Sequence, residues 1–233
     1  MGIDLICLDA DDTLWHNMRH FDAAERALFA MLEPFATPSA ARERLQRVGA
    51  RNLAIYGYGA KSFTLSMIET ATELCGDKLT TSTVQQILTI GRELLSHPVE
   101  LLPEVETTLD ALADRARLVL ITKGDLMHQE AKLAASGLGD RFSGIEIVSD
   151  KTVDAFRRLF ARYEANPEYC VMAGDSIRSD VLPALEAGAW AAHVPHDIVW
   201  FYERADAPSR HPRFKRLDAL ADLPDWIDAI GSR

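Results

Sequence analysis

The chain has 233 residues, of which 48% are hydrophobic and 26% charged, and its formal net charge is −10 at pH 7. This length is enough for one large core, or for a main domain with a smaller one. The acidic balance argues against nucleic acid or an anionic membrane as a partner. No apolar segment reaches the roughly 18 residues of a membrane span, and the three cysteines form no CxxC pair. We therefore expect a soluble cytoplasmic protein with reduced thiols.

The first predicted element is a strand at residues 3–9, "IDLICLD". A short apolar run that ends in acids is typical of a strand buried on both faces. From residue 19 to residue 97 the pattern changes to apolar residues at helical spacing. Four such segments, separated by proline and glycine, predict four consecutive helices. They are "FDAAERALFAMLEPF", "SAARERLQRV", "SFTLSMIETATELCG" and "TTSTVQQILTIGRELLSH".

Beyond residue 98 predicted helices alternate with the strands "RLVLIT", "GIEIVS", "YCVMAG" and "WAAHVP". This alternation predicts a parallel sheet with helices on both faces. The polar stretch "YERADAPSRHPRFK" is predicted to be a surface loop before a last helix, "LDALADLPDWIDAI". We thus expect a Rossmann-like α/β core domain (residues 1–18 and 98–233) interrupted by a small all-helical domain (residues 19–97).

Chemically competent side chains follow the predicted strands. Asp9 and Asp11 come after the first strand, Thr122 ends the second, Lys151 follows the third and Asp175 follows the fourth. Ligands of open parallel sheets bind at the carboxyl ends of the strands. We therefore expect these five side chains to meet at that edge.

The crowded acids of "DADD" indicate what this edge could bind. Two like charges about 6 Å apart repel by roughly 3 kcal/mol at an effective dielectric constant near 20. Mg²⁺ would compensate this repulsion, and carboxylate and carbonyl oxygens are the ligands it prefers. Together with a lysine and a threonine, the metal would form a pocket for a phosphoryl group. One aspartate could then attack phosphorus, and a neighbouring one could transfer the proton.

The order of these elements resembles the haloacid dehalogenase-like (HAD) superfamily over essentially the whole chain. Its DxDx[ST] motif is found in "DADDT", its strand-ending threonine in "LVLITKG", its lysine in "VSDKTVDAF" and its acidic motif in "GDSIRSD". A helical insertion just after the first motif is similar to the family's branch with an α-helical cap domain. Many relatives have proline after the motif lysine, where this chain has Thr152.

The resemblance implies a role for each matching residue. Asp9 is expected to be the nucleophile and a metal ligand, and Asp11 the general acid/base, which binds the metal through its backbone carbonyl. Thr122 and Lys151 are expected to bind the phosphate and balance its charge. Asp175 is expected to be the acidic metal ligand.

Three further residues and one segment have an expected role or two alternative roles. Lys123 and Gly124 are expected to join Thr122 in binding the substrate. Asp180 would either order a metal-bound water or Lys151, or simply be a first-turn helix acid beside an N-cap Ser179. The segment "YGYGAKSF" at residues 56–63 would either contact the substrate or be a plain connection between helices.

The resemblance implies a magnesium-dependent phosphomonoester hydrolase, with Mg²⁺ as cofactor and a small phosphorylated metabolite as substrate. Haloacid dehalogenases of this fold lack the second aspartate, so Asp11 favours phosphate-ester hydrolysis, while a phosphomutase remains an alternative. A signalling receiver domain or an inactive binding module is the alternative from another class. We expect a monomer or homodimer, with no nucleic-acid or membrane partner.

Overall fold

The computed structural model describes residues 2–231. The strands in this range are β1 (Leu5–Leu8), β2 (Arg117–Lys123), β3 (Gly144–Val148), β4 (Cys170–Gly174), β5 (Trp190–His193) and β6 (Phe214–Arg216). The α-helices are α1 (Met18–Leu32), α2 (Pro38–Tyr56), α3 (Ala60–Cys75), α4 (Thr81–Ser96), α5 (Val105–Ala113), α6 (Leu126–Ser136), α7 (Val153–Arg162), α8 (Leu182–Glu186) and α9 (Leu223–Gly231). No helix among the described residues has the length and hydropathy needed to cross a membrane.

The six strands form one parallel sheet in the order β3-β2-β1-β4-β5-β6. The central strand β1 pairs with β2 on one side and with β4 on the other. The carboxyl ends of these three strands therefore lie side by side. This arrangement confirms the α/β fold predicted from the alternating pattern, and it brings the candidate site residues to one edge.

Strand β1 shows why a continuous apolar run is needed at the centre of the sheet. Ile6 and Leu8 pack on one face in a cluster with residues of α5 and α9, whereas Leu5 and Cys7 pack on the opposite face with residues of α7 and α8. Successive side chains of a strand point to opposite faces, so a strand covered on both sides must be apolar at every position.

The C-terminal part differs from the expectation in two places. The stretch predicted to be a loop ends in the first two residues of β6, which pairs with β5 through Ala191, Ala192 and His193. Strand β6 is a short edge strand of three residues with no apolar alternation, so only its pairing with β5 defines it. The last helix begins at Leu223 rather than at Leu217, because a 3₁₀ turn (Leu220–Asp222) precedes it.

The described chain divides into two compact units, and the helical one comprises Asn17–Pro98 together with Gly124–His128. Its four helices α1–α4 match the four helices predicted from the periodicity. A buried apolar cluster with Leu28, Leu45 and Met67 holds them together. Helices α3 and α4 approach closely where Gly91 faces Thr64, since a Cβ atom at position 91 would overlap the threonine side chain.

Candidate active site

Three aspartates meet at the carboxyl edge of the sheet. Asp9 directly follows β1, Asp175 directly follows β4, and Asp180 lies one turn further along the chain. One carboxylate oxygen from each lies within 4.8 Å of those of the other two. The structure thus brings together Asp9 and Asp175, as expected, and adds Asp180 to the same group.

Gly174 makes this close approach possible. A Cβ atom at this position would lie 2.9 Å from the Cβ atom of Asp9, and it would come closer still to the carboxylate of Asp180. Real Cβ atoms essentially never show such contacts, so a side chain here would push the two acids apart. The sequence signal for this close approach is the glycine directly before Asp175.

Lys151 is the cation that faces this cluster. Its ammonium group forms an ion pair with Asp9 and donates a hydrogen bond to Asp180 Oδ1 at 2.6 Å, with the lysine only 4% exposed. The next residue, Thr152, is the N-cap of α7, and its hydroxyl accepts a hydrogen bond from the Ala155 backbone N–H. Threonine can therefore start the helix where many relatives have proline.

The acids titrate abnormally because they are buried together. Burial raises the pKa of Asp9 to about 7, since the attraction of Lys151 only partly offsets burial and the repulsion of Asp180 and Asp11. Burial and repulsion by Asp9 and Asp180 also raise the pKa of Asp175 well above its ordinary value. Burial lowers the pKa of Lys151, but attraction by Asp180 and Asp9 outweighs this and raises it above its ordinary value. The site therefore has an excess of negative charge when its acids are ionised.

The excess of negative charge indicates whether the site suits Mg²⁺. The donor set consists of carboxylate oxygens only, and three acids face one ammonium group. A hard divalent cation prefers oxygen ligands and would remove the repulsion. The residues present therefore fit the metal that the sequence predicts.

The loop after β4 is shaped by side-chain hydrogen bonds to its backbone. Thr13, the last residue of "DADDT", accepts a hydrogen bond from the Asp175 backbone N–H at 3.1 Å. Ser176 begins the following turn and accepts from the Ser179 backbone N–H, so Ser176, and not Ser179 as expected, is the N-cap. The turn itself, Ile177–Val181, is a single π-helical turn, a form that is frequent at functional sites.

Asp180 is more than a first-turn helix acid. It is fully buried, and its Oδ2 accepts from the Ser176 backbone N–H at 2.9 Å while its Oδ1 accepts from Lys151. The structure places Asp180 in direct contact with Lys151, which is one of the two partners expected for it. A fully buried carboxylate needs such partners, because burial of an unpaired charge is strongly unfavourable.

Asp11 and Thr122 lie together in a second group. Gln129 of α6 donates to Asp11 Oδ2 at 3.1 Å and to Thr122 Oγ1 at 2.6 Å. Lys132 of the same helix forms an ion pair with Asp11 at 2.5 Å. Sequence reasoning missed both residues of α6. Their only signal was two polar side chains, three positions apart, on a helix that follows the motif threonine.

The pKa of Asp11 differs in direction from that of Asp9. Burial raises the pKa of Asp11, but the attraction and hydrogen bond of Lys132, with hydrogen bonds from Trp15 and Gln129, outweigh burial. The pKa of Asp11 therefore lies below its ordinary value. In the protein without metal, the candidate nucleophile Asp9 thus favours its protonated form, whereas the candidate acid/base Asp11 favours its ionised form.

Lys123 has a buried acidic partner that the sequence analysis did not identify. Its ammonium group forms an ion pair with Glu203 and donates to Ser179 Oγ at 2.6 Å. Glu203 also accepts from Ser176, and these contacts hold its pKa below the ordinary value although burial raises it. Gly124 has a φ of +141°, in the region that favours glycine. The substrate-binding role of Lys123 and Gly124 stays a prediction.

Comparison with known proteins supports the resemblance. The sequence model of the haloacid dehalogenase-like hydrolases matches residues 3–188. A haloacid dehalogenase-like family hydrolase from Xanthomonas campestris has a similar structure, with a TM-score of 0.89 and 38% identity over 99% of this chain and 93% of that chain. The L-2-haloacid dehalogenase of Xanthobacter autotrophicus has a TM-score of 0.67 and 18% identity, over 97% and 98% of the two chains, which shows a shared fold.

Among curated proteins, the N-acylneuraminate-9-phosphatase of Mus musculus is 26% identical over 144 residues. The match covers 58% of this chain and 55% of the relative, so the chain spans about half the length of the curated relatives it matches. A family match that extends from β1 to the end of α8, on a parallel sheet with acids and a lysine at its carboxyl edge, establishes the family. The chain belongs to the haloacid dehalogenase-like hydrolases.

Proposed function

We propose that this hydrolase is a magnesium-dependent phosphomonoesterase that acts on a small phosphorylated metabolite through an aspartyl-phosphate intermediate. The observation that carries the proposal is Asp11. It lies two residues after Asp9, and it is joined through Gln129 to the phosphate-binding candidate Thr122. Displacement of a halide needs no proton donor, whereas departure of an alkoxide from phosphorus does.

Each residue would then act as follows. A carboxylate oxygen of Asp9 attacks phosphorus, and the bond between phosphorus and the ester oxygen breaks. Asp11 gives a proton to the departing alkoxide. In the second half-reaction Asp11 takes a proton from water, whose oxygen attacks phosphorus, and the bond to Asp9 breaks to release inorganic phosphate. The attack of Asp9 requires its ionised form, which its ion pair with Lys151 favours.

The remaining groups would hold the transferred phosphoryl group. Lys151 offers a fixed positive charge, and the Thr122 hydroxyl can donate to a phosphoryl oxygen, since its own oxygen already accepts from Gln129. Mg²⁺ would be held by Asp9, Asp175 and the Asp11 carbonyl. When bound, it would neutralise charge on the phosphoryl oxygens.

Two alternatives are separated by direct assays. The fold is shared with an L-2-haloacid dehalogenase, so halide release from 2-haloacids must be measured beside phosphate release. The purified protein should release phosphate from p-nitrophenyl phosphate in Mg²⁺ and release no halide from 2-chloropropionate. Halide release without phosphate release would overturn the proposal, and transfer of phosphate between two carbons of a sugar phosphate would favour a mutase.

The physiological substrate is proposed only at the level of a small phosphorylated metabolite. The partial match to N-acylneuraminate-9-phosphatase makes sugar phosphates the first group to test. A panel of phosphorylated sugars, nucleotides and carboxylic acids, compared by kcat/KM, would identify the preferred class. We further propose that the helical unit contributes to this preference, in the way the family resemblance implies for a cap domain.

A further inference from the structure

Lys132 is a buried lysine that none of the family motifs includes. It lies on α6 and is only 5% exposed. Its ammonium group is paired with Asp11, at 2.5 Å from Oδ1. Lysine is almost never this deeply buried unless it is paired, because burial of an isolated charge is strongly unfavourable. The ion pair with Asp11 therefore offsets part of the cost of burying this ammonium group.

The two oxygens of Asp11 have unequal partners. Oδ1 accepts from Lys132 and also from the indole N–H of Trp15 at 2.7 Å. Oδ2 accepts from Gln129 alone among the contacts found for it, and at the longer distance of 3.1 Å. The Asp11 side chain is 23% exposed. Oδ1 is thus engaged by two short bonds, and Oδ2 is the oxygen with capacity for a further partner.

Gln129 and Lys132 project from the same face of α6, because residues three positions apart on a helix are neighbours. The side-chain nitrogen of Gln129, which carries two hydrogens, lies within hydrogen-bond distance of Asp11 Oδ2, Thr122 Oγ1 and the Lys123 backbone carbonyl, the last at 3.0 Å. This face of α6 therefore contacts the acid/base candidate and the phosphate-binding candidate together, and it fixes one relative to the other.

We propose that Lys132 is a positioning residue for Asp11. By holding Oδ1 together with Trp15, it leaves Oδ2 as the atom that gives a proton to the leaving group and takes one from water. Gln129 holds this oxygen at a fixed position relative to the Thr122 hydroxyl. The proposal rests on the proposed phosphomonoesterase function, and it goes beyond that function by assigning a role to residues outside the motifs.

The first experiment replaces Lys132 by methionine, which keeps the length of the side chain and removes its charge. Proton transfer by a positioned side chain typically contributes about 10²- to 10⁴-fold. We expect Lys132→Met to lower kcat/KM for an alkyl phosphate by about 10²-fold and for p-nitrophenyl phosphate by much less, because kcat/KM reports formation of the phosphoenzyme and nitrophenolate leaves without a proton. kcat should fall for both substrates, because attack of water on the phosphoenzyme is the same step for each of them. Glu130→Gln, an exposed charge change on the same helix, should leave both substrates unaffected.

The second experiment is a double-mutant cycle with Asp11→Asn, measured with p-nitrophenyl phosphate. If Lys132 acts through Asp11, Lys132→Met should cause no further loss of kcat in the Asp11→Asn background. If Lys132→Met alone fails to fold, the comparison of Asp11→Asn with the double variant still tests the role of Lys132, because the double variant buries no unpaired charge. Thermal melting establishes which variants are folded.

The outcomes separate the two proposals. Equal losses of kcat/KM on both substrates with active wild-type protein, or losses of kcat that multiply in the double variant, would overturn the role of Lys132 and leave the phosphomonoesterase function intact. A wild-type protein that hydrolyses neither ester in Mg²⁺ would overturn the proposed function and, with it, the role of Lys132.

Discussion

Lys151 forms an ion pair with Asp9, although 142 positions separate the two residues in the sequence. The same ammonium group also donates to Asp180 at 2.6 Å. With Asp175, three carboxylates thus face one lysine at the end of the sheet. The charge that Lys151 does not compensate favours the binding of a divalent cation.

We first predict that phosphatase activity requires Mg²⁺ and that Asp175 sets the concentration needed. Excess chelator should abolish turnover, and added Mg²⁺ should restore it. Loss of even an outer partner of a metal site typically costs 10- to 100-fold in affinity or activity. Asp175→Asn should therefore raise the half-saturating Mg²⁺ concentration by more than about tenfold.

The matched control for Asp175→Asn is Asp218→Asn, the same change at a side chain that is 97% exposed. This control should titrate with Mg²⁺ as the wild type does. Full turnover in excess chelator would contradict the requirement for Mg²⁺. An unchanged Mg²⁺ titration of Asp175→Asn would show that Asp175 is not a metal ligand.

The second prediction separates Asp9 from Asp11. Asp9→Asn removes the nucleophile, so no phosphoenzyme should form and turnover should vanish. Asp11→Asn keeps the shape and the backbone carbonyl but loses the proton transfer, which is typically worth about 10²- to 10⁴-fold. In kcat/KM, that loss should be large for alkyl phosphates and smaller for p-nitrophenyl phosphate. Phosphoenzyme should accumulate with both, because water lacks its base.

Rapid-quench trapping of the phosphoenzyme in both variants checks this assignment. The trapped group should be present in Asp11→Asn and missing in Asp9→Asn. A phosphoenzyme in Asp9→Asn, or full activity of Asp11→Asn on alkyl phosphates, would show that the two roles are assigned wrongly.

The third prediction concerns Gly174. Gly174→Ala would place a methyl group against Asp9 and Asp180, and overpacking of this kind typically costs 1–3 kcal/mol. Activity should fall by more than the loss of stability explains, because the metal ligand Asp9 is pushed away from Asp180. Gly139→Ala is the matched control, since a Cβ atom there meets nothing within 4 Å. Thermal melts measure the loss of stability, and Mg²⁺ titrations of activity measure the effect on the site. A fully active Gly174→Ala would contradict the close approach of residue 174 to Asp9 and Asp180.

The fourth prediction is a pH dependence of stability in the metal-free protein. Burial raises the pKa of Asp9 to about 7, so between pH 4 and 7 the folded state keeps a proton that the unfolded chain has released. The free energy of unfolding should therefore fall as pH rises through this window, by at most about 1.4 kcal/mol per pH unit for one proton. Asp175, whose pKa is also raised, acts in the same direction.

Melting temperatures in chelator, compared between wild type and Asp9→Asn, isolate the contribution of Asp9. The wild type should lose stability relative to the variant as pH rises from 5 to 7.5. Added Mg²⁺ should stabilise the wild type more at pH 7.5 than at pH 5, because the metal binds the ionised acids. A difference between the two proteins that does not depend on pH would contradict the prediction.

The fifth prediction concerns the segment at residues 56–63. A metabolite's leaving group needs contacts beyond the phosphate site, whereas a small aryl phosphate does not. Tyr58→Ala should therefore lower kcat/KM for the preferred metabolite by about tenfold or more and leave p-nitrophenyl phosphate nearly unchanged. Ile55→Ala, a change at an exposed position of α2, is the control. Equal losses on every substrate would mark the segment as a structural connection.

Sequence periodicity alone predicted the parallel sheet and the four helices of the insertion. These elements are long or strongly apolar, and β1 is covered on both faces, so its local composition already reflects its place in the fold. The sequence also placed four site residues near strand ends: Asp9 and Asp175 directly after β1 and β4, Thr122 next to last in β2, and Lys151 three positions after β3. A residue that follows a buried parallel strand must lie at the carboxyl edge of the sheet.

Only the tertiary structure decided which side chains support this edge. The contacts of Lys132 and Gln129 with Asp11 join residues more than 100 positions apart, and so does the close approach of Gly174 to Asp9. Strand β6 likewise exists through its pairing with β5. Local pattern carries information about neighbours along the chain, whereas the partner of a buried charge depends on which distant helix the fold places beside it.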